Sequence, residues 1–458
     1  MSTRRELLKQ AAATLVGALT SAQLARGAGD TRSDAFASAG AAKSSGSRIK
    51  SVIRREDTVV RHGGTGDNWH MSWAGDDRQY VSLCDGAGLS DHPKTYYNSR
   101  MIAVAGGPRD AKFYDLPDYP MLGKPKQKTK DPRYYGFGTL ALDGHLYQFM
   151  STWNRAFRPH ELDKPDATNL LCFNGVKLIY SPDGGRSWHN QDGSTPVAWE
   201  DWSKRSRETM TFFEEHQGAF SLLSVLQMGK NYGQNRDGFV YIYAPNGNTD
   251  GTMNELVMFR VRKNSILDRT SYEYFNGLSA GGAAKWSKDI NARAVVHTFP
   301  RGWVNTLVHP FAWHPSVVYN APLGLYMMAN WGMGTAPDGL WFGRPSYLGF
   351  WIAKEPWGPW TQVHEESAWL PAGDKTARAY EPQISPKWIA ADGKSFWLVW
   401  TDYQVTNQEL YRQAMEEFKH IAETDSYSEA DVRRSVARMR QYRPYYAFNV
   451  QRVDLLVT

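Results

Sequence analysis

Residues 67–86 read DNWHMSWAGDDRQYVSLCDG and hold four carboxylates, Asp67, Asp76, Asp77 and Asp85, among aromatics and glycines. That mixture suits a sugar site. Aromatic faces stack on sugar rings, and a carboxylic acid paired with a carboxylate can cleave a glycosidic bond. The same residue types also build β-turns. Asp76-Asp77 reads as a hairpin turn, whereas Asp67 opens one strand and Asp85 ends the next. Two further acids stand beside strands. Asp237 precedes a strong strand in NYGQNRDGFVYIY, where Asn231, Tyr232, Asn235 and Arg236 are candidate sugar ligands, and Glu381 begins a strand in AYEPQIS. Asp67, Asp237 and Glu381 are therefore the catalytic candidates, with Asp85 among the substrate contacts.

Histidines offer a different chemistry. A polysaccharide lyase uses His or Tyr as base and acid, with Arg neutralising a uronate. His62, His70, His216, His309 and His314 all lie near expected strands or their loops. His70 or His216, with a tyrosine and Arg236, would make such a set. His70, His216 and His314 are also candidate substrate contacts. So are Trp303 and Trp331, which lie in Gly/Asn-rich loops of the kind that surround a cleft. A third reading is a glycan-binding protein without turnover. There is no HExxH, EF-hand or CxxC pattern, so no metal is expected. No P-loop or dinucleotide fingerprint is present, so no cofactor is expected either. Cys84 and Cys172 are the two cysteines. Export would permit a disulfide between them, but nothing in the sequence brings them together.

The elements that must position these groups are mostly strands. In 458 residues, apolar or aromatic runs of strand length recur between Gly, Asp, Asn and Pro. They fall into groups over 54–105, 134–190, 217–262, 312–363 and 379–454, the first opening with SVIRREDTVV. Five groups of three or four strands predict an all-β fold, a five-bladed β-propeller. SPDGGRSW, Ser181–Trp188, fits the S-x-D-x-G-x-x-W hairpin of sialidase-like propellers, in which Asp183 accepts backbone N–H groups and Trp188 packs between strands. Two stretches differ. Residues 407–424 place Leu410, Met415, Phe418 and Ile421 at helical spacing, and a second helix runs from Ser428 through Arg440. Together they predict a helical hairpin, about 405–441, inside the fifth blade. Residues 263–270 predict a short helical turn.

The aromatic share of 13% points to an aromatic-rich interior or cleft under a polar surface. The N-terminal STRRELLKQAAATLVGALTSAQLARGAG pairs Arg4 and Arg5 ahead of an apolar stretch and small residues. It reads as a twin-arginine export signal over 1–28, followed by a flexible linker over 29–50 and the propeller over 51–458. The expected location is periplasmic or extracellular. Residues 1–28 hold Arg4, Arg5, Lys9 and Arg26 against Glu6, so they carry +3 of the formal +6 and leave +3 to the remainder. No basic block interleaves with aromatics there, which argues against nucleic acid. No apolar run after the N-terminus is long enough to span a membrane. The partners expected are a polysaccharide or oligosaccharide and the export machinery, with a monomeric chain.

Six segments in order, GDNWHMSWAGDDRQYVSLCDG, SPDGGRSW, MGKNYGQNRDGFVYIYAPNG, SYEYFNGL, EPWGPWTQV and PKWIAADGKSFWLVWT, resemble a bacterial family of secreted five-bladed propellers. The family, long filed as a domain of unknown function, includes endo-D-arabinanases. The resemblance covers roughly 50–405 and 445–454. It implies a glycoside hydrolase acting on a polysaccharide such as D-arabinan, by acid/base chemistry of carboxylates on inner strands. The chain departs from the family pattern at His70, where proline is expected. The segment after His216 lacks the usual start of a third blade, and the 405–441 hairpin replaces a short loop.

Overall fold

The computed structural model describes residues 49–89, 97–123, 132–153, 173–201, 203–247, 254–299, 314–334, 336, 342–423 and 428–458. The export signal, almost all of the linker, Cys172, Trp303 and His309 lie outside the described residues.

Five antiparallel sheets form the fold. Blade I has a broken inner strand, Thr65–Asp67 and Met71–Trp73, followed by Gln79–Gly88, Tyr97–Ala105 and Lys112–Asp115. Blade II runs Tyr134–Leu142, His145–Trp153, Phe173–Ser181 and His189–Asn190. Blade III starts with only Ser224–Val225, then Phe239–Pro245, Glu255–Arg262, Glu273–Leu278 and Ala284–Ser287. Blade IV runs Ser316–Asn320, Leu325–Gly332, Tyr347–Ala353 and Thr361–Glu366. Blade V runs Ala379–Ile389, Ser395–Asp402 and Asn449–Val457, and its outer strand is Ile49–Arg54. Each inner strand touches the inner strands of both neighbouring blades, so the five close into a ring. The fold is a five-bladed β-propeller.

The expected grouping errs at the start of the chain. Ile49–Arg54 leaves the first group and pairs with Asn449–Val457. Ile49 and Val52 are buried against Val453 and Leu455, so the last sheet gains its apolar outer strand from the chain's beginning. The pairing also holds blade V to blade IV, because Arg54 forms a two-pronged ion pair with Glu366 at 2.6 and 2.7 Å.

The Ser181–Trp188 hairpin forms as its pattern predicts. Asp183 Oδ1 accepts from the N–H groups of Arg186 (3.0 Å) and Ser187 (2.9 Å). Trp188 is buried and meets Tyr119 edge-on at 5.0 Å. Short 3-10 turns at Lys263–Ser265 and Arg269–Ser271 fill the expected helical stretch. The hairpin helices are α1, Gln408–Glu423, and α2, Glu429–Tyr442, inserted between the second and third strands of blade V. Ser428 and Asp431 form both halves of a capping box, a tighter start than the sequence suggests.

Candidate functional site

Inner strands enter the ring at one face and leave at the other. The entry face gathers their first residues together with the last residues of the antiparallel second strands. Asp67 closes the first half of blade I's inner strand. Asp85 lies near the end of the neighbouring strand, one residue beyond Cys84, which faces Asp67 in register. Glu381 is the third residue of blade V's inner strand. Tyr380, beside it, donates to Asp67 Oδ2 at 2.9 Å. Tyr446, just ahead of the last strand, donates to the same oxygen at 2.8 Å and to the Asp85 carbonyl at 3.1 Å. Asn68 Nδ2 donates to Asp67 Oδ1 at 2.7 Å. Three of the acids singled out from the sequence, Asp67, Asp85 and Glu381, therefore meet at this face.

The backbone around them is unusual. Asn68, Asp85, His314 and Glu381 have φ of 59, 45, 47 and 52°, in the left-handed region that non-glycine residues rarely occupy. Each such residue costs roughly 1–3 kcal/mol and persists only where its surroundings enforce it. At Asn68, Asp85 and Glu381 these kinks coincide with interruptions of the strand pairing. The bulges at Thr65/Asp67 and Tyr380/Gln383 mark the same places. Gly86 allows the close approach: a Cβ there would run into the carbonyl oxygen of Thr65.

Burial governs the electrostatics. Asp67 is pushed up to about 7, chiefly by burial and then by Asp85, against the hydrogen bonds from Tyr446, Tyr380 and Asn68. Glu381 is fully buried with neither carboxyl oxygen hydrogen-bonded, and burial followed by the Asp67 charge drives it well above the usual carboxylate range. Charge on Asp67 and charge on Glu381 disfavour each other, so this pair retains a proton at neutral pH. Asp85 is half-buried. Burial, then Asp67 and Asp85, also raises the Cys84 thiol, a buried free cysteine that stays protonated.

Behind the acids, His70 and His314 pack together along the axis, ring centroids 4.8 Å apart, against Phe137. His70 is held down to about 3 by burial, so its imidazole is neutral. Trp331 lies not in a loop but in the strand Leu325–Gly332, where alternation buries its ring on Tyr380 at 5.7 Å, within an apolar wall that includes Tyr135, Phe137 and Tyr446. Among the described residues, no group of three or more His, Cys, Asp or Glu is arranged to hold a metal ion.

The structure does not bring Asp237 to Asp67 and Glu381. It lies in the connection that leaves blade III's inner strand, at the exit face. There it is exposed and occupied by a turn: Oδ1 accepts from Asn235 Nδ2 and the Phe239 N–H, both at 3.0 Å, and Oδ2 accepts from Tyr241. Asn231 shares that face, bonded to the Asp143 turn at 2.7 and 3.2 Å. Tyr232 is buried in the core, and Arg236 is exposed with its guanidinium over the Tyr319 ring at 5.3 Å. The motif misleads because loops on both faces use Asn, Asp and Gly. His216 is exposed, its carbonyl bonded to Arg293. Gly277–Gly281 reads G-x-S-x-G, yet it spans the turn between two outer strands of blade III and not a strand-to-helix elbow.

Sequence reasoning missed Tyr380, Tyr446 and Arg443. Tyr380 adjoins Glu381 and could have been drawn in with it. Tyr446 carries no such signal, since it reaches Asp67 across 379 positions of chain.

No protein-family model matches the chain, and no curated protein matches it. Solved structures do. A protein from Bacteroides ovatus has a TM-score of 0.43 at 14% identity, over 86% of this chain and 87% of that one. An α-L-arabinofuranosidase from Lactobacillus brevis scores 0.40 at 11% identity, over 78% and 89%. An α-L-arabinofuranosidase from Podospora anserina, in complex with cellotriose, scores 0.38 at 10% identity, over 91% and 93%. At these values the likeness says nothing of this chain's chemistry.

Proposed function

We propose that this protein is a glycoside hydrolase acting on a polysaccharide such as D-arabinan. One observation carries the reading: Asp67, Asp85 and Glu381 converge at the entry face, with Asp67 pushed up to about 7. A carboxyl group of that proton affinity can donate a proton to a leaving oxygen near neutral pH. Asp67 is the general acid in this reading. Asp85, the more exposed of the three, is the nucleophile or base. Glu381 keeps its proton, because burial and the Asp67 charge oppose its ionisation. Asp85 thus takes the place the sequence suggested for Asp237. The paired arginines at Arg4 and Arg5 support export by the twin-arginine route to the periplasm or beyond, and a monomeric chain completes the reading.

The lyase reading has less support. Burial has stripped His70 of its basicity, and Arg236 belongs to the opposite face.

The test is a product assay on D-arabinan, L-arabinan and uronate polymers. New reducing ends without unsaturated-uronate absorbance support the hydrolase. Asp67→Asn, Asp85→Asn and Glu381→Gln should then each lower turnover, by about 10²–10⁴-fold for the general acid. Ultraviolet-absorbing products that persist in those variants would sink the proposal. Saturable binding without turnover would make the protein a lectin.

A further inference from the structure

Asp67 receives one of its hydrogen bonds from the far end of the chain. The helices α1 and α2 close a small core of Tyr411, Met415, Val432, Val436 and Met439 around Ala87, two residues beyond Asp85. The insertion is thereby seated on the strand that carries an acid. Where the chain leaves α2 it holds Arg443, only 4% exposed. Its guanidinium lies 3.5 Å from the Tyr446 ring centroid and 3.8 Å from that of Tyr403. Nη1 donates to the Tyr411 hydroxyl at 3.0 Å, and Nε has no partner. No carboxylate pairs with Arg443 among the described residues. Burying a guanidinium without a counter-charge is costly, so an apolar side chain would brace the helices at lower cost. What the cation does here is sit on the face of the phenol that bonds to Asp67. Such a cation draws electron density from the ring and makes its O–H a better donor.

We propose that Arg443 is a positioning residue, through which the helical insertion holds the Tyr446 hydroxyl on Asp67 and sets that carboxyl's proton affinity. The groups facing Asp67 are Asn68 on its own strand, Asp85 and Cys84 on the next, Tyr380 and Glu381 on blade V, and Tyr403 and Tyr446 flanking the helices. Of these, Tyr403 and Tyr446 stack on Arg443, and Tyr380 lies within reach of its charge. A hydrogen bond to the charged form of a carboxyl lowers its proton affinity, so weakening this one raises it.

The role in catalysis rests on the proposed hydrolase reading, but the coupling itself does not. The experiment is a carboxyl-carbon NMR titration of the full chain labelled at aspartate, with the Asp67 signal identified by its loss in Asp67→Asn. Arg443→Met and Tyr446→Phe should each raise the Asp67 midpoint, by about one unit. The double variant should go no further than Tyr446→Phe alone, because the arginine acts through the phenol. Arg443→Lys, which keeps the charge but loses the flat stack, should fall between. If a polysaccharide is turned over, the alkaline limb of its pH profile should move by the same amount. An Asp67 midpoint unmoved in Arg443→Met, with only the melting temperature lowered, would reduce Arg443 to a brace and overturn the proposal. Fully additive shifts would overturn the route through Tyr446. If Arg443→Met fails to fold, Arg443→Lys and Tyr446→Phe decide: an unmoved midpoint in both refutes it.

Discussion

Replacing Asp67 by asparagine should make the protein more stable in mild alkali while lowering the proposed turnover. The carboxyl has an ordinary value of 3.8 and stands at about 7 in the folded chain. A raised value means that the folded state holds the proton more tightly than the unfolded chain does. Its contribution is fully present below 3.8 and is lost as the pH rises through about 7. The rise is roughly three units, which at 1.36 kcal/mol per unit is of order 4 kcal/mol. Asp67→Asn removes that term. The local hydrogen bonds can be re-formed: the new carbonyl can accept from Tyr380 and Tyr446, and turning over the Asn68 amide, which donates Nδ2 to Asp67 Oδ1, lets its unpartnered Oδ1 accept from the new N–H group. Glu381 adds in the same direction, because the Asp67 charge no longer opposes its ionisation. Urea unfolding of both proteins, at about pH 4 and about pH 8, is the assay. The stability of the variant relative to the parent should improve by about 4 kcal/mol between the two conditions. A difference that is the same at both, or that reverses, would refute the claim that the folded chain holds a proton at Asp67.

Three further outcomes follow from the geometry. Asp237→Asn should leave polysaccharide turnover within about twofold of the parent, since its carboxylate serves an exposed turn; a loss above about tenfold, read in the product assay, would return it to the chemistry. Gly86→Ala should cost about 1–3 kcal/mol or more in urea unfolding and lower turnover as well, because its Cβ would drive the Thr65 backbone away from the Asp85 strand. Asp183→Ala should cost about 1–3 kcal/mol without a proportionate loss of turnover. Burial works against the Asp183 charge, but the Ser187 and Arg186 N–H groups and the Ser181 and Ser187 hydroxyls hold it at about 2. Its stabilisation is present above 3.8 and lost as pH falls through about 2, so the variant and parent should converge in strong acid, followed by circular dichroism.

The helical insertion shows how a propeller can be adapted without altering its blades. The connection between two strands of blade V holds α1 and α2, whose apolar faces close on each other and on Ala87. The polar residues that follow, Arg443 and Tyr446, then reach the axis. The ring scaffold is built from antiparallel ladders, so an insertion at a strand end leaves their register intact.

What the sequence determined by itself is local. Period-two apolar runs between turn residues specify strands, and their grouping specifies blades, because each sheet is continuous in the chain apart from its closure. The Ser181–Trp188 turn was legible for the same reason: its hydrogen bonds fall within a few residues. Asp67, Asp85 and Glu381 were legible as acids beside strands. Only the tertiary structure decided which acids meet. Loops at the two faces of a propeller have the same composition, so Asp237 and Asp67 look alike until the ring closes and sets them at opposite ends. The strand Ile49–Arg54 reads as part of the first group until its apolar face finds Leu455 and Val453 at the other end of the chain. The proton affinity of Asp67 belongs to that second class. It comes from burial, a neighbouring acid and two tyrosines 313 and 379 positions away. No pattern in one stretch of sequence can encode a group's loss of water or the partners that replace it.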